Sequence, residues 1–196
     1  MYSPLPLEQL DNSAHSTALL IDENVQALAQ LATLLQRSPE KAYQRLMGSQ
    51  QTQSLGRHVR HILEHYGTLL DACTPGDHRM AFDYEQRQRE AVLENDPIQA
   101  LQRVKILQTG LQALSSTPYN TPLTLSYPIE EGHASQANTL ILPTNLGREL
   151  AFLTSHSIHH MALLGLLCEQ LEITLPSDFG IHPSTLRFWK NQRTAS

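Results

Sequence analysis

The amino-acid sequence predicts an all-α protein, an up-down four-helix bundle with a small β-hairpin or loop excursion before the last helix. Four long stretches carry apolar residues at helical spacing, and the stretch between the third and the fourth changes to short alternating segments. With 196 residues, 40% of them hydrophobic, the chain is long enough to enclose one core. We expect a single domain over residues 1–196, with an irregular lead-in at 1–14 and a C-terminal tail at 176–196.

Each long helix has its own signal in the sequence. Residues 15–36 and 55–73 place leucine, valine and isoleucine on one face. Asp96 followed by Pro97 is an N-cap residue with proline at the first helical position, which predicts a helix to about residue 114. A fourth long helix is expected over 145–171. Shorter helices are predicted after Pro39 and over the polar stretch 83–95, and a single turn near Pro183.

The excursion is predicted between residues 117 and 144. Residues 123–127 and 139–142 alternate between apolar and polar side chains, which is typical of short strands. Glu130, Glu131 and Gly132 lie between them, where a hairpin would turn. A small hairpin or a loop is therefore expected before the fourth long helix.

Charge and cysteine content limit the classes of partner. The formal net charge of −5 argues against a general binder of nucleic acid. No apolar run approaches the roughly 20 residues that a membrane-spanning helix needs. Cys73 and Cys168 form no CxxC pair, so a reduced, cytoplasmic setting without disulfides is expected. We expect no nucleic-acid partner and no membrane attachment.

Histidine is the compositional outlier, with ten residues, six of which lie in two short segments. His156 and His160 are four positions apart on the fourth long helix and so lie on one face, about one turn apart. This spacing lets a single helix offer two nitrogen ligands to one metal ion. Ser157 stands where a zinc protease of the HExxH type has its glutamate, so that class is not supported.

The helix over 55–73 carries three further histidines, His58, His61 and His65, beside its apolar stripe. One of them can supply a third ligand across the bundle. The helical wheel places His58 closest to the stripe and His61 farthest from it, so periodicity alone favours His58. The competing interpretation is a plain interaction bundle in which these histidines are hydrogen-bonded core residues and no metal is bound.

Two stretches of the chain, residues 54–65 (SLGRHVRHILEH) and 148–163 (RELAFLTSHSIHHMAL), resemble the DinB-like family of metal-binding four-helix proteins. Residues 82–89 and 179–185 resemble segments of a bacterial subgroup of that family. The resemblance implies that a histidine of the second long helix and an HxxxH pair of the last helix hold a divalent ion. It places the ligands at His61, His156 and His160, because family members have the first ligand about seven positions after a Ser or Thr.

The histidine spacing and the family resemblance together predict a divalent-metal-binding protein with a three-histidine site. Zinc or nickel is the expected ion, with iron as a further candidate. Open coordination positions would support a metal-dependent hydrolase or a thiol transferase acting on a small molecule. The alternative is a non-catalytic metal-binding or stress-response module. A homodimer is expected, and the role of Arg87 and Arg89 is left open between an anion clamp and a solvated face.

Overall fold

The computed structural model describes residues 7–74, 81–129 and 138–194. These residues form seven helices and one two-stranded antiparallel sheet. In chain order the elements are α1 (Leu7–Arg37), α2 (Glu40–Gln44), α3 (Leu55–Ala72), α4 (Ala91–Asn95), α5 (Pro97–Ala113), β1 (Pro122–Ile129), β2 (Asn138–Asn145), α6 (Leu146–Gln170) and α7 (Pro183–Thr194).

The predicted fold class is wrong in its simple form. The protein is mostly helical, but its described part is not a clean up-down four-helix bundle, because three short helices and a hairpin are built into it. The long helices α1 and α3 each pack against α5 and α6. The helix expected over 83–95 is shorter than predicted, because only α4 is helical there and residues 81–90 are irregular. Pro97 disfavours a helical conformation at Asp96, which separates α4 from α5.

Both ends of the chain also differ from the prediction. Helix α1 begins at Leu7, inside the expected irregular lead-in 1–14. The expected tail 176–196 contains α7, where a single turn was predicted. Helix α7 is polar and largely exposed, so its sequence has no apolar stripe that would have indicated it. The expected turn at Glu130, Glu131 and Gly132 lies outside the described residues.

Side-chain caps fix where the two histidine-bearing helices begin. The Ser54 hydroxyl accepts a hydrogen bond from the backbone N–H of Arg57 at 3.1 Å, which starts α3. The Asn145 side chain accepts one from Arg148 N–H at 2.9 Å, which starts α6. Because a helix fixes the direction of each later side chain, these caps help to set the direction of the histidines.

The hairpin holds an irregular loop against the helices. Strand β1 pairs with β2 from Pro122 opposite Asn145 to Ile129 opposite Asn138, and β2 leads directly into α6. The backbone of Phe82 donates to the Thr124 carbonyl at 2.9 Å and accepts from Ser126 N–H at 2.7 Å. This extra pairing anchors the start of the loop 81–90 on β1.

A buried chain of polar groups ties α1, α3 and α6 together. The Tyr66 hydroxyl donates to Asn24 Oδ1 at 2.9 Å, and Ser157 Oγ donates to the Tyr66 hydroxyl at 3.2 Å. Asn24 Nδ2 in turn donates to the Leu150 carbonyl at 3.1 Å. Buried polar groups are tolerated when they are paired in this way, and the chain sets the position of α3 relative to α6.

Helix α6 is long and apolar enough to cross a membrane by length and composition alone. Its apolar residues instead contribute to the core, with Leu150, Leu153 and Leu164 fully buried. It packs against α1 and α3. Helix α6 is therefore a core helix of the described part of the protein.

Candidate metal centre

The histidines of α3 and α6 face one another across the contact between these helices. On each helix they recur at spacings of three or four residues, which keeps them on one face. The packing of α3 against α6 brings the two faces together. The cluster comprises His58, His61 and His65 of α3 and His156 and His160 of α6.

The structure brings together the three residues that the sequence analysis proposed as ligands. The ring centroids lie 5.0 Å apart for His61 and His156, 4.4 Å for His61 and His160, and 4.6 Å for His156 and His160. The Nε2 atoms of His61 and His156 are 3.1 Å apart. Two nitrogens at about 2.05 Å from one tetrahedral ion would be roughly 3.3 Å apart. The spacing of this pair is close to what a shared ion requires.

His65 belongs to the same cluster, although the resemblance did not select it. Each of the residues His61, His65 and His156 offers one ligand atom, and these three atoms all lie within 4.8 Å of one another. His65 Nδ1 donates to the His61 carbonyl at 2.7 Å, which leaves the lone pair on Nε2. This is the usual support for a metal-ligating imidazole. The spacing of four between His61 and His65 is the signal that could have found it.

His160 and His58 form the outer end of the cluster. Their Nδ1 atoms are 3.2 Å apart, so one ring donates a hydrogen bond to the other. If His160 coordinates an ion through Nε2, its proton is on Nδ1 and can be donated to His58 Nδ1. His58, which the helical wheel favoured as a ligand, thus contacts His160 directly, whereas His61 contacts His156.

Burial makes the histidines poor bases. It is the largest cause that lowers the pKa of His61 to about 2 and the pKa values of His65, His156 and His160 to about 4. It also lowers the pKa of His58. Mutual repulsion and the positive charge of Arg87 lower the pKa of His61 further. The rings are therefore neutral at physiological pH, which is the protonation state that a metal ion needs.

Arg87 reaches into the cluster from the loop 81–90. Its Nη1 lies 2.6 Å from His61 Nδ1 and 3.5 Å from Glu64 Oε2. The side chain is only 15% exposed, and its Nε is buried without a hydrogen-bond partner among the described residues. Arg89 lies two residues further along the loop and is exposed. The sequence did not decide the role of Arg87 or Arg89, and the structure shows that Arg87 contacts His61.

An aromatic residue of the same loop covers the inner end. The ring of Tyr84 stacks on His65 with 5.2 Å between centroids and 16° between planes. Its hydroxyl donates to Glu149 Oε2 at 2.9 Å, and Thr144 donates to the other carboxylate oxygen at 2.6 Å. Burial and the charge of Glu149 raise the pKa of Tyr84, so its hydroxyl stays protonated as a donor. Glu149, fully buried, thereby holds Tyr84 over His65.

A cleft of about 810 Å³ lies beside the histidines, between α3, the loop 81–90, α5 and β1. Glu64 and Arg87 line it, and Arg87 contacts His61 on one side and approaches Glu64 on the other. The histidine rings do not line it. The cleft and the cluster are therefore neighbours with Arg87 and Glu64 between them.

Comparison with known proteins gives a partial match. No family model and no solved structure matches the chain. The chain is similar to FK506-binding protein 5 of Rhizopus delemar, 36% identical over 110 residues. The match covers 56% of this chain and 28% of that protein. The chain thus spans little more than a quarter of the relative's length.

The resemblance to the DinB-like family and its bacterial subgroup is wrong as a family assignment. No model of that family matches, and the relative from Rhizopus delemar has a different description. The two motifs behind the resemblance consist mainly of histidine spacings on helices. Such spacings follow from helix geometry and are not specific to one family. The histidine cluster therefore stands on its own geometry.

Proposed function

We propose that this protein binds one divalent metal ion between α3 and α6. His61 and His156 form the centre of the site, and His160 completes it as the third ligand. The observation that carries the proposal is the 3.1 Å separation of the Nε2 atoms of His61 and His156 within a cluster of neutral imidazoles. His65 flanks the same pair from the other side and is the alternative third ligand.

The donor set favours a borderline transition metal. Neutral imidazoles suit zinc, nickel and iron, and zinc or nickel is the ion we expect. An ion held by three histidines keeps coordination positions open and lowers the pKa of a bound water or thiol. The half-buried positions of His156 and His160 leave that side within reach of a small molecule.

Elemental analysis of protein purified without an affinity tag tests the proposal. We expect about one equivalent of metal per chain and its loss in the double variant His156→Ala, His160→Ala. His159→Ala is the matched control, because His159 is exposed on the same helix. The proposal is abandoned if the double variant keeps a full equivalent or if the wild-type protein binds no ion after incubation with zinc or nickel.

A turnover screen of the metal-loaded protein with esters and with thiols plus electrophiles distinguishes an enzyme from a non-catalytic metal-binding or stress-response module. We propose that the protein is cytoplasmic, that a second copy of the chain is its partner and, if the turnover screen shows an enzyme, that its substrate is a small molecule. The exposed Phe188 and Trp189 on α7 support self-association.

A second candidate function comes from the relative alone. The name of FK506-binding protein 5 describes binding of FK506 by that protein, and 110 residues of this chain are 36% identical to part of it. Titration of the full chain with FK506 by calorimetry tests this candidate. Saturable binding with a stoichiometry near one would favour it, and the absence of heat at tens of micromolar ligand would remove it.

A further inference from the structure

The contact between Arg87 and His61 fixes which nitrogen of His61 carries the proton. A guanidinium group only donates hydrogen bonds, so His61 Nδ1, at 2.6 Å from Arg87 Nη1, must accept. A neutral imidazole has one protonated nitrogen, and for His61 it is therefore Nε2. That proton lies between His61 Nε2 and His156 Nε2, which are 3.1 Å apart. His61 Nε2 has no lone pair for a metal ion in this arrangement.

Metal binding by His61 removes this contact whichever nitrogen is used. Ligation through Nδ1 takes the lone pair that Arg87 now occupies. Ligation through Nε2 moves the ring proton to Nδ1, so one proton leaves Nε2 and one is taken up at Nδ1. An N–H at that position would face the N–H of Arg87, and two donors repel one another. Arg87 has to leave His61 in both cases.

Glu64 is placed to receive the displaced guanidinium. Its Oε2 is 3.5 Å from the same Nη1 atom, a distance that a small side-chain movement would shorten to a full ion pair. Its Oε1 is held by the backbone N–H of Glu90 at 2.8 Å, so the carboxylate itself is fixed. Glu64 is nearly fully buried, and a buried carboxylate gains most from a close cation.

We propose that Arg87 regulates metal affinity by competing with the ion for His61, and that metal binding transfers it from His61 to Glu64. This inference rests on the proposed metal site. It makes the loop 81–90 responsive to the ion, because Arg87 and Tyr84 both belong to it. A purely structural arginine would instead support the site, and its removal would weaken metal binding.

Titration with Co²⁺, followed by visible absorption, and competition with Zn²⁺ test the inference on the full chain. Arg87→Gln should bind about tenfold tighter or more, because the obligate donor is replaced by an amide whose oxygen can accept from His61. Arg87→Lys keeps a cationic donor and should stay close to the wild type. Arg89→Gln, which loses the same charge from the same loop, should change the affinity less than about threefold.

Unchanged or weaker binding by a folded Arg87→Gln variant overturns the inference and leaves the metal site itself intact. Absence of binding in both the wild type and Arg87→Gln overturns the inference together with the proposed function. If the Arg87→Gln variant does not fold, a measurement on the wild-type protein still tests the contact between Arg87 and His61. Long-range ¹H–¹⁵N NMR of the metal-free protein should show His61 protonated at Nε2, and protonation at Nδ1 would refute the Arg87 contact.

Discussion

The Nε2 atoms of His61 on α3 and His156 on α6 lie 3.1 Å apart across the interface between the two helices. Neither helix alone could produce this distance, since it depends on how α3 packs on α6. The buried chain from Asn24 through Tyr66 to Ser157 fixes that packing one residue away from His156.

The two flanking histidines should differ in their effect on metal binding. We expect His160→Ala to weaken zinc binding by more than about 100-fold and His65→Ala to weaken it by about tenfold. Removing a residue that only supports a ligand typically weakens metal binding by about 10- to 100-fold, so the larger loss would identify His160 as a ligand. His160 shares one rigid helix with His156, whereas His65 lies beneath the ring of Tyr84. Competition with a chromophoric chelator measures both affinities. The reverse order would make His65 the third ligand, and equal large losses would indicate a closed four-histidine site.

Tyr84 should orient His65 without being essential for the fold. Tyr84→Phe keeps the stacked ring but removes the donor to the buried Glu149 carboxylate, which leaves one oxygen without that bond. We expect a loss of about 1–3 kcal/mol in the free energy of unfolding. Urea unfolding of the metal-free protein measures it, with Tyr127→Phe on the exposed side of the hairpin as control. Equal stability of the two variants would contradict the role given to this hydrogen bond.

The sequence could predict the parts of the site that depend on local geometry. The spacing of His156 and His160 follows from one helix, and the caps at Ser54 and Asn145 are local signals of the same kind. The contact of Arg87 with His61 joins residues 26 positions apart through an irregular loop. No periodicity encodes such a contact, because it depends on how Phe82 pairs with β1.

The fold class failed for a related reason. Apolar stripes indicate long helices, and the four long ones are present, but stripes do not reveal short or polar helices such as α4 and α7. The family assignment failed because it was based on the spacing of histidines along helices, which unrelated helical proteins can share. No family model matches the chain, and the relative from Rhizopus delemar has a different description. The wheel argument for His58 failed to single out one ring, because the helix face is wide enough to bring all three α3 histidines to α6.

The two cysteines should react slowly with alkylating reagents at pH 8. Burial raises the pKa of both Cys73 and Cys168 to about 11. The thiols of the unfolded chain ionise near pH 8.5, so the folded state favours the protonated form. The resulting stabilisation is complete below about pH 8.5 and is lost as the pH rises towards 11. Mass spectrometry after iodoacetamide treatment should show slow labelling in buffer and rapid labelling in urea; equal rates would contradict the prediction.

Two glycines of α3 should respond in opposite ways to the same substitution. A Cβ atom at Gly56 would lie 1.9 Å from the Glu94 carbonyl oxygen and 3.1 Å from the ring of Tyr43. Because the close neighbour is backbone, Gly56→Ala must push α3 and α4 apart, and we expect a loss of about 1–3 kcal/mol or more. Gly67 has no atom within 4 Å of its Cβ position. Gly67→Ala should therefore stabilise the helix by about 0.5–1 kcal/mol.

Urea unfolding followed by circular dichroism measures both glycine variants under the same conditions. The helix and the substitution are the same in the two cases, so helix propensity alone would raise the stability of each variant. Only the close approach of α4 to the start of α3 predicts opposite signs. A stabilised Gly56→Ala variant would show that α4 does not lie against the start of α3, and the ion pairs from Arg57 and Arg60 to Glu94 could then not form.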